Sequence, residues 1–250
     1  MDFIGQHVVI TGGSTGIGRA TAEKIAGAGG KVTLIARRAD VLEEAARAIG
    51  PSVNWIAADA GDKESLIAAL DGTVAIHGPI DGLFLNHGTQ GAFSLTPAYG
   101  DEAFEDVMRV NAFSLFWAVR HVLPAMIARG KGAILITGSL GGETGMVGNI
   151  GYCASKHAAV GIARTIAMEG APHGVRCNWI APGFIDTPML SGVPDAFKAQ
   201  MAQRVPQKRI GTPAEAGAVA AFLLSDGASH VTAQGLAIDG GLLGTLMIEQ

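Results

Sequence analysis

The 250-residue chain is 48% apolar and only 16% charged, with a net charge of −4, so it can bury a sizeable core and is neither a disordered segment nor a basic nucleic-acid binder. Its 36 glycines are about twice the usual share of ~7%. They have no period of three and come with only 10 prolines, which excludes collagen and points to turns or to places where something approaches the backbone.

Strand-like and helix-like stretches then alternate along the chain. Residues 7–11 (HVVIT) predict a strand and 16–28 a helix with Ile17, Ala20, Thr21, Ile25 and Ala28 on one face. The pair repeats over 32–36 and 40–49, where Gly50-Pro51 ends the helix. A third strand is read over 53–58, and a third helix begins over 63–70. The fourth strand, 82–86, precedes a long helix from about 101 to 129, expected to bend near Pro124. Then come a strand (132–137), a helix (152–169) and a sixth strand (175–180). Helical segments near 194–204 and 213–225 lead to a last strand, 235–239. Strands joined through helices pair in parallel, and continuous apolar strands suit a sheet covered on both faces. The expected fold is therefore α/β, one domain over 1–250: a doubly wound, Rossmann-type parallel sheet of about seven strands in a three-layer α/β/α sandwich. The irregular stretch 183–206 reads as an insertion that forms a lid or a substrate wall.

The first strand–helix turn runs Thr11-Gly12-Gly13-Ser14-Thr15-Gly16-Ile17-Gly18. Glycines there let the backbone approach a pyrophosphate, and the helix opens with free N–H groups and the positive end of its dipole. This predicts a dinucleotide site that uses Gly12, Ser14, Thr15, Gly16, Ile17 and Gly18. At the end of the second strand an acid would bind the ribose hydroxyls of NAD. The chain instead has Arg37 and Arg38, which suit the 2′-phosphate of NADP, so NADP(H) is favoured over NAD(H). Asp59, followed by Ala60, is placed to accept from an adenine amine, with a helix cap as the competing role.

Tyr152 and Lys156 in YCASK lie one helical turn apart on one face. The strand before them ends in Thr137-Gly138-Ser139, which brings Ser139 to the carboxyl edge of the sheet, where ligands of open α/β folds bind. Asn111 sits in a long helix, next to the run 112–119, which is apolar but for Ser114, and needs a partner for its amide.

On TGGSTGIG at 11–18, NHG at 86–88, Asn111, Ser139, YCASK at 152–156 and IAPGFIDTPM at 180–189, the chain resembles the compact branch of the short-chain dehydrogenases/reductases over nearly its whole length. The resemblance implies an NAD(P)-dependent oxidoreductase that interconverts a ketone or aldehyde and a secondary alcohol. In it Tyr152 is the acid/base and Lys156 its electrostatic partner and ribose ligand. Ser139 orients the carbonyl, and Asn111 anchors a proton-relay water. Asn86 and Gly88 line the cofactor groove. Pro182 and Gly183 lead to Ile185 and Thr187 at the nicotinamide carboxamide. Physics supports the central pair: an ammonium about 4–5 Å from a phenol, at an effective dielectric of about 20, supplies roughly 3–4 kcal/mol toward the roughly 4 kcal/mol needed to bring a tyrosine near neutrality.

The chain departs from the family pattern at His87, where a small residue is usual, and at Trp179, read as packing or site floor. The substrate wall is expected from His87, Gln90, Phe93, Glu143, Met146, Phe184 and Met189, a mostly apolar set. Expected partners are a small carbonyl or alcohol substrate and further copies of the chain, as a dimer or tetramer, but neither nucleic acid nor membrane, since no uninterrupted apolar run reaches about 18 residues. No metal site is expected: the seven histidines are scattered and Cys153 and Cys177 have no ligand spacing. The two cysteines and the absence of a signal-peptide pattern at the amino terminus suggest a cytoplasmic setting. A 3-oxoacyl-type reductase of the same family and a non-catalytic dinucleotide sensor are the competing readings. A dehydratase or epimerase would space its glycine loop differently, and an enoyl reductase would space its Tyr and Lys more widely.

Overall fold

A computed structural model describes residues 1–244. Seven parallel strands form one sheet in the order β3-β2-β1-β4-β5-β6-β7: β1 (His7–Thr11), β2 (Lys31–Ala36), β3 (Val53–Ala57), β4 (Gly82–Leu85), β5 (Gly132–Thr137), β6 (Val175–Pro182) and β7 (Gly235–Ile238). The connecting helices are α1 (Gly16–Gly27), α2 (Ala39–Ile49), α3 (Lys63–His77), α4 (Asp101–Met108), α5 (Ser114–Arg129), α6 (Ile150–Gly170), α7 (Asp195–Arg204) and α8 (Pro213–Leu224). The expected α/β class and strand count are what the chain forms; residues 245–250 of the expected domain lie outside the described residues.

The two faces of the sheet carry separate apolar clusters, which is why the central strands read as unbroken apolar runs. On one face Val9, Leu83, Leu85, Ile134 and Ile136 pack with α3, α5 and α6. On the other Val8, Ile10, Phe84, Ala133 and Leu135 pack with α1, α2 and α8. Strands β1 and β4 are buried throughout, whereas β7 at the sheet edge is largely exposed. The helical run Asp101–Arg129 meets the length and hydropathy expected of a membrane span, but Leu115, Ala118, Val119, Val122 and Met126 from it belong to the first cluster, against the sheet.

That run departs from the sequence reading in one respect. Its hydrogen-bond irregularity is not at Pro124 but at a π-helical turn, Arg109–Phe113, where the Ser114 N–H bonds the Arg109 carbonyl five residues back. Helix α5 continues through Pro124. Pro124 is on the exposed side, so water can take the carbonyl that the missing N–H would have bound. The π turn instead places Asn111 inward, 1% exposed. Helix α6 starts two residues earlier than the sequence suggested, because the Asn149 side chain accepts from the Tyr152 N–H and caps it.

The strand order reverses between β1 and β4. Their carboxyl ends, with those of β5 and β6, therefore open a crevice at the switch point, as ligand sites of such sheets do.

Candidate active site

The glycine turn is built for close approach. Gly12 adopts φ +64°, and a Cβ there would meet the His87 backbone at 3.0 Å. A Cβ on Gly18 would lie 2.4 Å from the Gly12 carbonyl and 2.7 Å from Asn86 Nδ2, so no side chain fits. Thr15, at the N-cap of α1, makes no capping hydrogen bond, and no acid lies in the first turn. The amino terminus of α1 thus keeps its positive dipole end free for an anion. A dinucleotide pyrophosphate fits this cradle. Thr187, from the irregular segment, reaches across to the turn: its Cγ2 is 3.1 Å from the Cβ position of Gly16.

Asn86 holds three strand ends together. Its Nδ2 donates to the Gly12 carbonyl (3.1 Å), its Oδ1 accepts from the Thr137 hydroxyl (3.0 Å), and its backbone N–H donates to Thr11 Oγ1 (3.1 Å). Arg37 and Arg38 follow β2, exposed, and neither forms an ion pair among the described residues. The Asp59 side chain accepts from the Gly61 N–H (2.8 Å), and Ala60 beside it is half-buried. The capping of α3 falls to Asp62, which accepts from the Ser65 N–H (2.7 Å).

The four candidate catalytic residues converge. Ser139 is 9% exposed at the end of β5, its Oγ accepts from the Gly141 N–H (3.0 Å), and that Oγ and the Tyr152 ring both lie against Gly141, 3.5 and 3.2 Å from its Cβ position. Lys156 is buried beneath the tyrosine, with Nζ 5.7 Å from the ring centre and donating to the Thr137 carbonyl (2.8 Å). Asn111 accepts from the Thr89 N–H (2.8 Å) and donates to the Thr89 carbonyl (2.8 Å) and to Ser155 Oγ (3.0 Å). Gly88 passes over this group, its Cβ position 3.2 Å from Asn111 Oδ1 and 3.5 Å from Lys156 Nζ.

Burial raises the Tyr152 pKa above its usual value, only partly offset by the nearby Ser139 hydroxyl, and burial lowers Lys156 to about 8. The shift of the tyrosine is set by burial first and by Ser139 second. Near neutrality the phenol holds its proton and the lysine its charge.

The expected substrate wall is divided. Phe93, Met146 and Met189 are exposed, and Gln90 is tied to the same rim through its carbonyl, which accepts from Asn149 Nδ2 (3.2 Å). Phe184 lines a cavity of about 290 Å³ with Arg209, Glu215 and Asp239; that cavity includes none of the four candidate catalytic residues. Glu143 accepts from Trp179 Nε1 (3.2 Å), so the acid partners the tryptophan. His87 is corrected more clearly: Thr11 Oγ1 (2.7 Å) and Ser114 Oγ (2.7 Å) occupy its two ring nitrogens, so the ring belongs to the wall and not to a substrate contact. Pro182 and Gly183 are half-buried, and Ile185 packs into the second core cluster. Thr11, Thr137, Ser114 and Ser155 were not singled out by the sequence reading; as polar residues inside apolar or motif runs they carried the available signal. Among the described residues no cluster of metal-binding side chains occurs.

Burial and the nearby Lys156 charge lower His87 to about 4, and His7 and His77 are also lowered, chiefly by burial. The unfolded chain, with histidines near 6.5, binds more protons in this range, so stability falls as pH drops from about 6.5 toward about 4. Urea midpoints should decrease steadily across that window, before most carboxylates titrate; a flat profile would refute the buried neutral histidines.

A family model described as enoyl-(acyl carrier protein) reductase matches residues 12–243. Levodione reductase of Leifsonia aquatica is 38% identical, covering 96% of this chain and 94% of its own length. Cis-4-hydroxycyclohexanecarboxylate dehydrogenase of Sinomonas cyclohexanicum is 34% identical, covering 96% and 97%. A crystal structure of levodione reductase superposes with a TM-score of 0.94 at 36% identity, covering 97% of this chain and 99% of that one. With the glycine turn, the serine at the strand end and the tyrosine–lysine pair in one groove, these likenesses establish that the chain belongs to the short-chain dehydrogenase/reductase family and is an NAD(P)-dependent oxidoreductase.

Proposed function

We propose that the enzyme interconverts a largely apolar, ring-bearing ketone and its secondary alcohol, with NADP(H) preferred and Tyr152 as the acid/base. The observation that carries this reading is the convergence of Ser139 Oγ and the Tyr152 ring on Gly141 at the sheet edge, with Lys156 buried behind the tyrosine. A carbonyl oxygen placed between the two hydroxyls accepts from both. When bound, the reduced nicotinamide supplies the hydride. Ser139 donates to the oxygen as negative charge develops, and the Tyr152 phenol transfers its proton to that oxygen. Lys156, still charged near neutrality, faces the phenolate left behind. In the oxidative direction the same phenolate takes the alcohol proton. Phosphates would rest on Gly12, Gly16 and Gly18, and the ribose near Lys156.

The apolar rim of Phe93, Met146, Val147, Met189 and Phe197 supports an apolar substrate, and two relatives are named for reactions of six-membered rings. The segment 183–206 is its wall. The family model's description favours a second reading, reduction of a carrier-bound acyl group, but the four-residue Tyr–Lys spacing and the serine fit a carbonyl better than an enoyl group. The two free thiols suit a reducing, cytoplasmic setting.

A panel of cyclic, aromatic and acyl ketones, followed by nicotinamide absorbance, should give the highest kcat/KM for a cyclic ketone. Tyr152→Phe should lower turnover roughly 10²–10⁴-fold while dinucleotide binding, read by fluorescence, persists; substantial residual reduction would remove Tyr152 from the chemistry. Arg37→Asp should shift the NADPH-to-NADH ratio of kcat/KM at least about ten-fold toward NADH, a loss of charge-assisted bonding. An unchanged ratio would show that Arg37 does not read the 2′-phosphate. Exposed Phe113 on the π turn, with Phe116, Met168, Phe222 and Leu236 on α5, α6, α8 and β7, supports self-association. Sedimentation at micromolar concentration should give a dimer or tetramer, and a monomer would overturn this.

A further inference from the structure

We propose that His87 is a positioning residue: its ring ties the carboxyl end of β1 to the π turn, and so holds the Asn111 amide against Ser155, between Tyr152 and Lys156. The hydrogen-bond directions follow from one fixed point. In the π turn the Ser114 N–H bypasses the Val110 carbonyl and bonds Arg109. The Ser114 hydroxyl takes the Val110 carbonyl instead, at 2.6 Å. Having spent its proton there, Ser114 Oγ can only accept from His87 Nε2, at 2.7 Å. The ring therefore carries its proton on Nε2, and its bare Nδ1 accepts from the Thr11 hydroxyl at 2.7 Å, a shorter contact than the 3.3 Å to the Phe84 carbonyl. Thr11 Oγ1 in turn accepts from the Asn86 N–H at 3.1 Å. One neutral ring thus joins the strand end that leads into Gly12 to the turn that carries Asn111.

The chain of bonds has a clear downstream target. Asn111 is a neighbour of Val110 in the turn, and its amide grips Thr89 and Ser155. Ser155 lies on α6 one residue before Lys156. A small residue at position 87, as the family pattern usually has, would leave the Thr11 hydroxyl and Ser114 Oγ without this shared partner. The tether joins Thr11 at the end of β1 to Ser114 after the π turn. His87 touches no reacting atom and acts through Asn111.

The first test does not depend on the reaction. Nitrogen-15 spectra of the imidazoles in the intact enzyme should show one ring neutral and protonated on Nε2 from about pH 8 to about pH 5, lost in His87→Ala. A His87 ring protonated on Nδ1, or one titrating near 6.5, would overturn the proposal. The second test rests on the Tyr152 reading and uses the best ketone of the panel with NADPH. His87→Ala and Ser114→Ala should each lower kcat about ten- to a hundred-fold, with KM for the ketone within about two-fold. Ser114→Thr, which keeps the hydroxyl, should restore most of kcat. In an Asn111→Ala background, His87→Ala should cause no further loss, because the two act in series. Additive losses, a loss confined to KM, or no rescue by threonine would each refute it. If His87→Ala does not fold, the serine pair carries the kinetic test. Failure of Tyr152→Phe to lose turnover would strike the catalytic reading alone, leaving the spectra to decide on His87.

Discussion

The site depends on how one half-buried amide bridges the gap between strands. Asn86 follows β4 at the point where the order of the sheet reverses, and its side chain binds the glycine turn after β1 on one side and the end of β5 on the other. The same Thr137 whose hydroxyl reaches Asn86 offers its carbonyl to Lys156. The cradle for an anion and the ammonium of the catalytic helix are therefore coupled through two residues. Burial weighs most on the Lys156 end of this chain of bonds, since a buried charge without its carbonyl partner would be costly.

Electrostatics in the groove follow from the same burial. Lys156 is desolvated, yet a backbone carbonyl gives it a partner and it keeps its charge near neutrality. Tyr152 is held protonated. The pair thus carries a proton on the phenol and a charge on the ammonium near neutrality, the form from which the proposed reduction would start. The His87 ring, beside a cation and away from water, stays neutral and serves as a strut.

Most of the fold was legible in the sequence because local signals agreed with the global pattern. The glycine-ended strands, Gly50-Pro51 and the apolar stripe of α1 all predict boundaries that the chain adopts within a few residues. The grouping of Ser139, Tyr152 and Lys156 was legible too, since a strand end and a helix face fix their positions. What sequence patterns could not show were features decided by tertiary hydrogen bonds. The π turn has the same apolar periodicity as an α-helix on either side, so Pro124 seemed the natural place for irregularity. His87 looked like a groove residue because neither of its partners, Thr11 and Ser114, is near it in sequence. The lysine's own desolvation is also invisible without the packing around it.

A π turn is an α-helix carrying one residue more than its winding requires. Removing a single residue from 109–113 would let α4 and α5 join as a regular helix, but would swing one relative to the other by roughly 100°. Either Val107 would keep its buried place or Asn111 would keep its grip on Ser155, but not both. This stretch can therefore exchange side chains far more readily than it can change length, and its length, more than its composition, is what the groove requires of it.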